Sequence, residues 1–109
     1  MSKEATILLS NISTPSVNYT YSSQAKGAGY HRKDSGTQTA ICSFDGFSGE
    51  IKIQGTLSLY PGDQDWVDVH TSTYNSNESS DVITITGNFI WIRSAYILSS
   101  GTINSVQLI

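Results

Sequence analysis

Asp63, Asp65 and Asp68 crowd three carboxylates beside the Pro61-Gly62 pair, and clustered carboxylates are the raw material of a calcium site. An EF-hand loop also needs a glycine and a bidentate glutamate at fixed offsets, and neither follows here. The cluster therefore reads as a solvated turn. His31 and His70 lie far apart, and neither has a second histidine or a cysteine at metal-ligand spacing. Serines abound, yet no Gly-x-Ser-x-Gly elbow is present, and Gly46-Phe47-Ser48-Gly49 reads as a turn. The glutamates Glu4, Glu50 and Glu78 all lack an apolar setting, so no pair suits glycoside hydrolysis. Asn11, Asn18 and Asn77 head matches to the glycosylation sequon, which read as chance in a chain so rich in Ser and Thr. These residues point to no catalytic, metal or cofactor chemistry.

The aromatic residues point elsewhere. In Gly87-Asn88-Phe89-Ile90-Trp91-Ile92-Arg93-Ser94-Ala95-Tyr96-Ile97-Leu98, a strand would place Phe89, Trp91, Arg93, Ala95 and Ile97 on one face. Its other face would carry Ile90, Ile92, Tyr96 and Leu98, interrupted by Ser94. Both faces are apolar, so both require cover, from a second sheet or from another subunit. In Asp65-Trp66-Val67-Asp68-Val69, the valines share one face and Trp66 shares the other with Asp68. If the aliphatic faces look inward, Trp66, Phe89 and Trp91 form an outer stripe with Arg93 beside it. Such a stripe suits a subunit contact or a sugar platform. The alternative places the tryptophans in the core, where each buries about 150–250 Å². Arg93 would be costly unpaired among these rings, and Asp68 is the expected partner; the alternative is that it snorkels past Trp91 to solvent. Trp66, Asp68, Phe89, Trp91 and Arg93 are thus the candidate contact residues.

Strands must position these groups, since no helical period occurs. Ala5–Leu9, Val17–Tyr21, Thr37–Phe44, Trp66–Thr73, Asp81–Thr86 and Thr102–Ile109 all read as strands. Residues 26–33 suit a loop or a strand, and Asp34-Ser35-Gly36 a turn. In Ile51–Leu59, Ile51, Ile53, Leu57 and Leu59 share one face, opposite Lys52, Gln54, Thr56 and Ser58. Turns are expected at Asp45–Gly49, Pro61–Asp63 and Ser99–Gly101, and a polar loop at Tyr74–Ser80. The sum is about eight or nine short antiparallel strands, an all-β, jelly-roll-like single sandwich over residues 1–109.

The chain has 109 residues, enough for one domain with a core that needs neither disulfide nor metal. Only 14% are charged, and the formal net charge is -3. An acidic chain without a basic patch argues against nucleic acid as partner. No apolar run approaches the roughly 20 residues of a membrane span. Met1-Ser2-Lys3-Glu4 lacks a secretory hydrophobic region, which implies cytoplasmic synthesis without export. The single Cys42, in a strand-like run, is expected to be a buried thiol.

Residues 46–109 also carry four ordered motifs: Gly49-Glu50-Ile51-Lys52-Ile53-Gln54-Gly55-Thr56-Leu57, Pro61 through Asp65-Trp66-Val67-Asp68-Val69, Gly87-Asn88-Phe89-Ile90-Trp91-Ile92-Arg93, and Gly101-Thr102-Ile103-Asn104. In this order they resemble small virion structural proteins of tailed bacteriophages, particularly of marine and cyanobacterial hosts. Gly55 and Ser94 stand where that pattern commonly has Ala. The resemblance implies a β-sandwich component of the phage particle without enzymatic activity, located in the virion. Expected partners are a second copy of the chain and other virion proteins. The other reading of the aromatic stripe is a carbohydrate-binding module.

Overall fold

The computed structural model describes residues 6–27, 37–62 and 64–108. Residues 28–36, with His31 and the expected Asp34-Ser35-Gly36 turn, lie outside them, as do Met1–Ala5, Asp63 and Ile109. Among the described residues seven antiparallel strands form one sheet and no helix occurs. They are β1 (Thr6–Ile12), β2 (Ser16–Tyr21), β3 (Ala25–Lys26), β4 (Thr37–Thr56), β5 (Val67–Asn75), β6 (Ser80–Thr86) and β7 (Trp91–Leu108).

Two long strands run side by side through the middle. β4 pairs with β7 from Ala40↔Leu108 to Thr56↔Trp91. In the first half of the sheet, β1 flanks β7 and β6 flanks β4. In the second half, β2 and β3 flank β7 and β5 flanks β4.

Two expected turns are bends within these strands, which is why the described residues hold fewer and longer strands than expected. The register shifts between Asp45 and Ser48, where Asp45 and Gly46 are both exposed. The buried set of β4 accordingly switches from Gln38, Ala40, Cys42 and Phe44 to Phe47, Ile51 and Ile53. An extra residue in one strand reverses which face its successors occupy. β7 bends at the same level. Gly101 has φ +80, and a Cβ there would lie 2.1 Å from the Gly46 carbonyl oxygen. Gly46 itself has φ +64. The two bends touch backbone to backbone, which any side chain at Gly101 would prevent.

One hydrophobic cluster collects both halves. Ala40, Cys42, Ile83, Ile85, Ile103 and Val106 enter from the first, and Ile51, Ile53, Ile92, Tyr96 and Leu98 from the second. Phe44, Phe47 and Tyr74 pack at the bend, with ring centroids 4.7 to 5.5 Å apart. Cys42 is fully buried, as expected, and burial, reinforced by the Asp81 carboxylate, pushes its thiol up to about 12. Tyr74 is buried with its hydroxyl donating to Asp81 at 2.7 Å; burial and then this bond raise its pKa.

The alternation expected over Ile51–Leu59 stops early. Strand pairing ends at Thr56, whose Oγ1 accepts the Ser58 amide at 3.1 Å, and Leu57 and Leu59 are exposed rather than buried. Val67, which shares its face with Val69 in the sequence pattern, is also exposed, while Val69 packs against the core. Of the turn expected at Pro61–Asp63, Asp63 lies outside the described residues; a turn closes between Gly62 and Asp65, the Gly62 carbonyl accepting the Asp65 amide at 3.1 Å and the Asp65 carboxylate accepting the Gly62 amide at 2.7 Å.

Candidate functional site

The outer face of the second half gathers a polar and aromatic cluster. Gln54 of β4 stands opposite Arg93 of β7 on one side and Asp68 of β5 on the other. Residues directly opposite in antiparallel strands project to the same face, so the three form one row. A register shift between Ile53 and Gln54 gives β5 an extra residue here, Val69. Asp68 thereby comes within reach of both Gln54 and Lys52.

Arg93 and Asp68 do not pair directly. β4 lies between their strands, and Gln54 fills the gap. Arg93 Nε donates to Gln54 Oε1 at 2.8 Å, and Gln54 Nε2 donates to Asp68 Oδ1 at 2.8 Å. The ion pair of Asp68 is with Lys52, Nζ to Oδ2, at 3.1 Å. The Gln54 bond first and the Lys52 bond second hold the Asp68 carboxyl below its ordinary pKa. The Asp68 bond in turn raises that of Lys52.

Aromatic rings enclose the cations. The Arg93 Cζ lies 4.2 Å from the Tyr21 ring centroid and 4.4 Å from that of Trp66. The sequence set Trp91 beside this arginine; the rings that stack on it are Trp66 and Tyr21. Lys52 Nζ sits 4.4 Å from the Tyr19 centroid. The Tyr19 hydroxyl donates to Glu50, which is the main reason its pKa is raised.

The expected stripe of three rings is not assembled. Trp66 is half-buried against Arg93, as above. Trp91 is on the same face of the sheet, half-buried, with its indole Nε1 donating to the Leu59 carbonyl at 2.8 Å. It shares a shallow depression with Gln24, Leu59, Tyr60 and Pro61. Phe89 departs altogether. Gly87–Ile90 precede the strand, and a Cβ on Gly55 would lie 2.6 Å from Phe89 Cγ. Gly55 is on the same face as Ile51 and Ile53, so Phe89 packs against the core. The alternation that placed it beside Trp91 does not hold outside the strand.

The two apolar faces of the 90–98 segment are covered by the chain itself. Ile92, Ser94, Tyr96 and Leu98 are buried on the core side. On the outer side Ala95 is fully buried between its register partners Tyr21 and Lys52.

Sequence reasoning missed Tyr19, Tyr21, Glu50, Lys52 and Gln54. Lys52 and Gln54 had been assigned to the polar face of their strand, and Tyr19 and Tyr21 alternate in a short edge strand. That signal identified the face but not its neighbours. His70, half-buried, pairs with the Ser72 hydroxyl at 2.5 Å. No group of three potential metal ligands occurs among the described residues. No protein-family model matches this chain, and no curated protein matches it either.

Proposed function

We propose that the chain is a non-enzymatic structural or adaptor component of a phage particle, a jelly-roll-like β-sandwich that assembles through its sheet faces. The observation that carries this reading is on the outer face of the first half. Ile7, Gln107, Ile41 and Val82 stand in register across β1, β7, β4 and β6. Ile7 is 60%, Ile41 40% and Val82 63% exposed. The next row is Ser10, Ser105, Ser43 and Ser80. Three exposed aliphatic residues in one row, interrupted by a single neutral amide and bordered by small hydroxyls, with no charge in either row, suit the core of a protein interface. The sandwich part is supported by the single core drawn from both halves and by Gln38, whose Nε2 donates to the Lys26 carbonyl in β3 at 3.4 Å. The Cα envelope of 37 × 33 × 18 Å suits two layers about 10 Å apart. The motifs of residues 46–109 supply the phage assignment.

Sizing by multi-angle light scattering tests the assembly. The wild type should form a closed oligomer at micromolar concentration, and Val82→Lys or Ile7→Lys should release monomers while changing monomer stability by less than about 1 kcal/mol. A wild type that stays monomeric at several hundred micromolar, or variants that assemble unchanged, would overturn it.

A second reading, saccharide binding, is favoured by one observation: a guanidinium held between the rings of Tyr21 and Trp66 on an open sheet face.

A further inference from the structure

We infer that Arg93 is the carboxylate-binding group of a site for acidic saccharides, that is, sugars of the uronic acid type. The inference rests on the second reading above and names its ligand class.

The guanidinium is already held in place. Tyr21 and Trp66 flank it, and its Nε is committed to Gln54. Asp68 takes the amide nitrogen of Gln54, which turns the amide oxygen toward Arg93. Lys52 fixes Asp68. A long side chain that is ordered before binding loses less entropy when it captures a ligand.

The terminal nitrogens of Arg93 remain available. Among the described residues Nε is the one Arg93 atom with a hydrogen bond, and Arg93 has no ion pair. Among the described residues no buried side-chain nitrogen or oxygen lacks a partner, so these unbonded terminal N–H groups are not sealed from solvent. Their paired geometry matches the two oxygens of a carboxylate.

Charge selects the class of ligand. Glu50 and Asp68 lie on the same face, each engaged by a neighbour. A ligand with a run of negative charge, such as an acidic peptide or a nucleic acid backbone, would meet them. A single carboxylate set among neutral hydroxyls would not, and those hydroxyls can donate to the two acids. Tyr21, 50% exposed, presents ring surface on which the C–H face of a sugar can stack.

The test is a titration of the full chain with sodium glucuronate, followed by NMR at the Arg93 Nε–H and Trp66 indole signals. Glucose, acetate and the methyl ester of glucuronate serve as comparisons at equal ionic strength. Glucuronate should bind saturably with Kd on the order of 1 mM, and each comparison at least about tenfold more weakly. Arg93→Lys, which keeps the charge and loses the fork, should weaken glucuronate about tenfold. If that variant does not fold, the methyl ester on wild-type protein removes the ligand charge instead. Glucose or the ester binding as well as glucuronate would overturn the role of Arg93 and leave saccharide binding standing. Acetate binding as well as glucuronate would overturn the sugar assignment, an unaffected Arg93→Lys would overturn the fork, and no saturable shift with any sugar would overturn both readings.

Discussion

Replacing Gly101 with alanine tests the joint on which the two halves of the sheet depend. Gly101 and Gly46 both lie in the left-handed region, at φ +80 and +64. Conformation alone therefore charges an alanine at either site about 1–2 kcal/mol. Their surroundings differ. A Cβ at Gly46 meets nothing within 4 Å, whereas one at Gly101 falls 2.1 Å from the Gly46 oxygen, 2.3 Å from its carbon and 2.7 Å from the Phe47 nitrogen. All three distances are well short of the 3.4 Å at which ordinary contact begins, and all three atoms are backbone. Relief requires β4 and β7 to part at the bend, at about 1 kcal/mol for each ladder bond lost, with further loss from the packing of fully buried Phe47. Gly101→Ala should therefore destabilise by about 4 kcal/mol or more, and Gly46→Ala by about 1–2 kcal/mol. Urea unfolding followed by tryptophan fluorescence measures both. Equal costs, within the roughly 0.5 kcal/mol that such comparisons resolve, would refute the backbone contact between the bends.

Double-mutant cycles should place the coupling of Arg93 with Gln54 at about 1 kcal/mol, and that of Arg93 with Asp68 below about 0.5 kcal/mol, because Gln54 stands between them; the reverse order would restore a direct pair. Phe89→Ala should cost about 2 kcal/mol by calorimetry, since its ring packs against the core over Gly55; a loss below about 0.5 kcal/mol would return it to the surface. Stability should also fall at alkaline pH. Burial raises the Cys42 thiol from 9.0 to about 12 and Tyr74 above its ordinary 10.0, so the native state keeps protons that the unfolded chain releases. The stabilisation is complete below pH 9, and Cys42 withdraws it at up to about 1.4 kcal/mol per pH unit between pH 9 and 12, joined by Tyr74 above pH 10. Cys42→Ala should flatten the profile between pH 9 and 10, and an unchanged slope would refute this origin.

What the sequence determined by itself is what depends on near neighbours along the chain. Period-two alternation identified Ile51 and Ile53 as inward and Lys52 and Gln54 as outward, because successive strand residues point to opposite faces wherever the strand lies. The same rule grouped Ile92 with Leu98 on one face and gave Trp66 and Asp68 a common side, and the residue type of Cys42 within a strand-like run marked it as a buried thiol. The turn at Pro61-Gly62 was legible because its residue types are local demands of the backbone. The tertiary structure decided the rest. Gly46 and Gly101 suit a reversal and a bend equally well, and only the continuous pairing of β4 with β7 makes them bends. That one difference turns short strands into long ones, and in β4 it moves the buried positions from Ala40, Cys42 and Phe44 to Phe47, Ile51 and Ile53. Phe89 carries the right parity for the outer stripe, but it precedes the strand and finds room over Gly55. Arg93 was placed beside a tryptophan and an acid, yet its hydrogen bond goes to Gln54, because β4 separates β7 from β5. Strand order joins residues dozens of positions apart, so alternation within a strand could identify the face of Arg93 but not its neighbours.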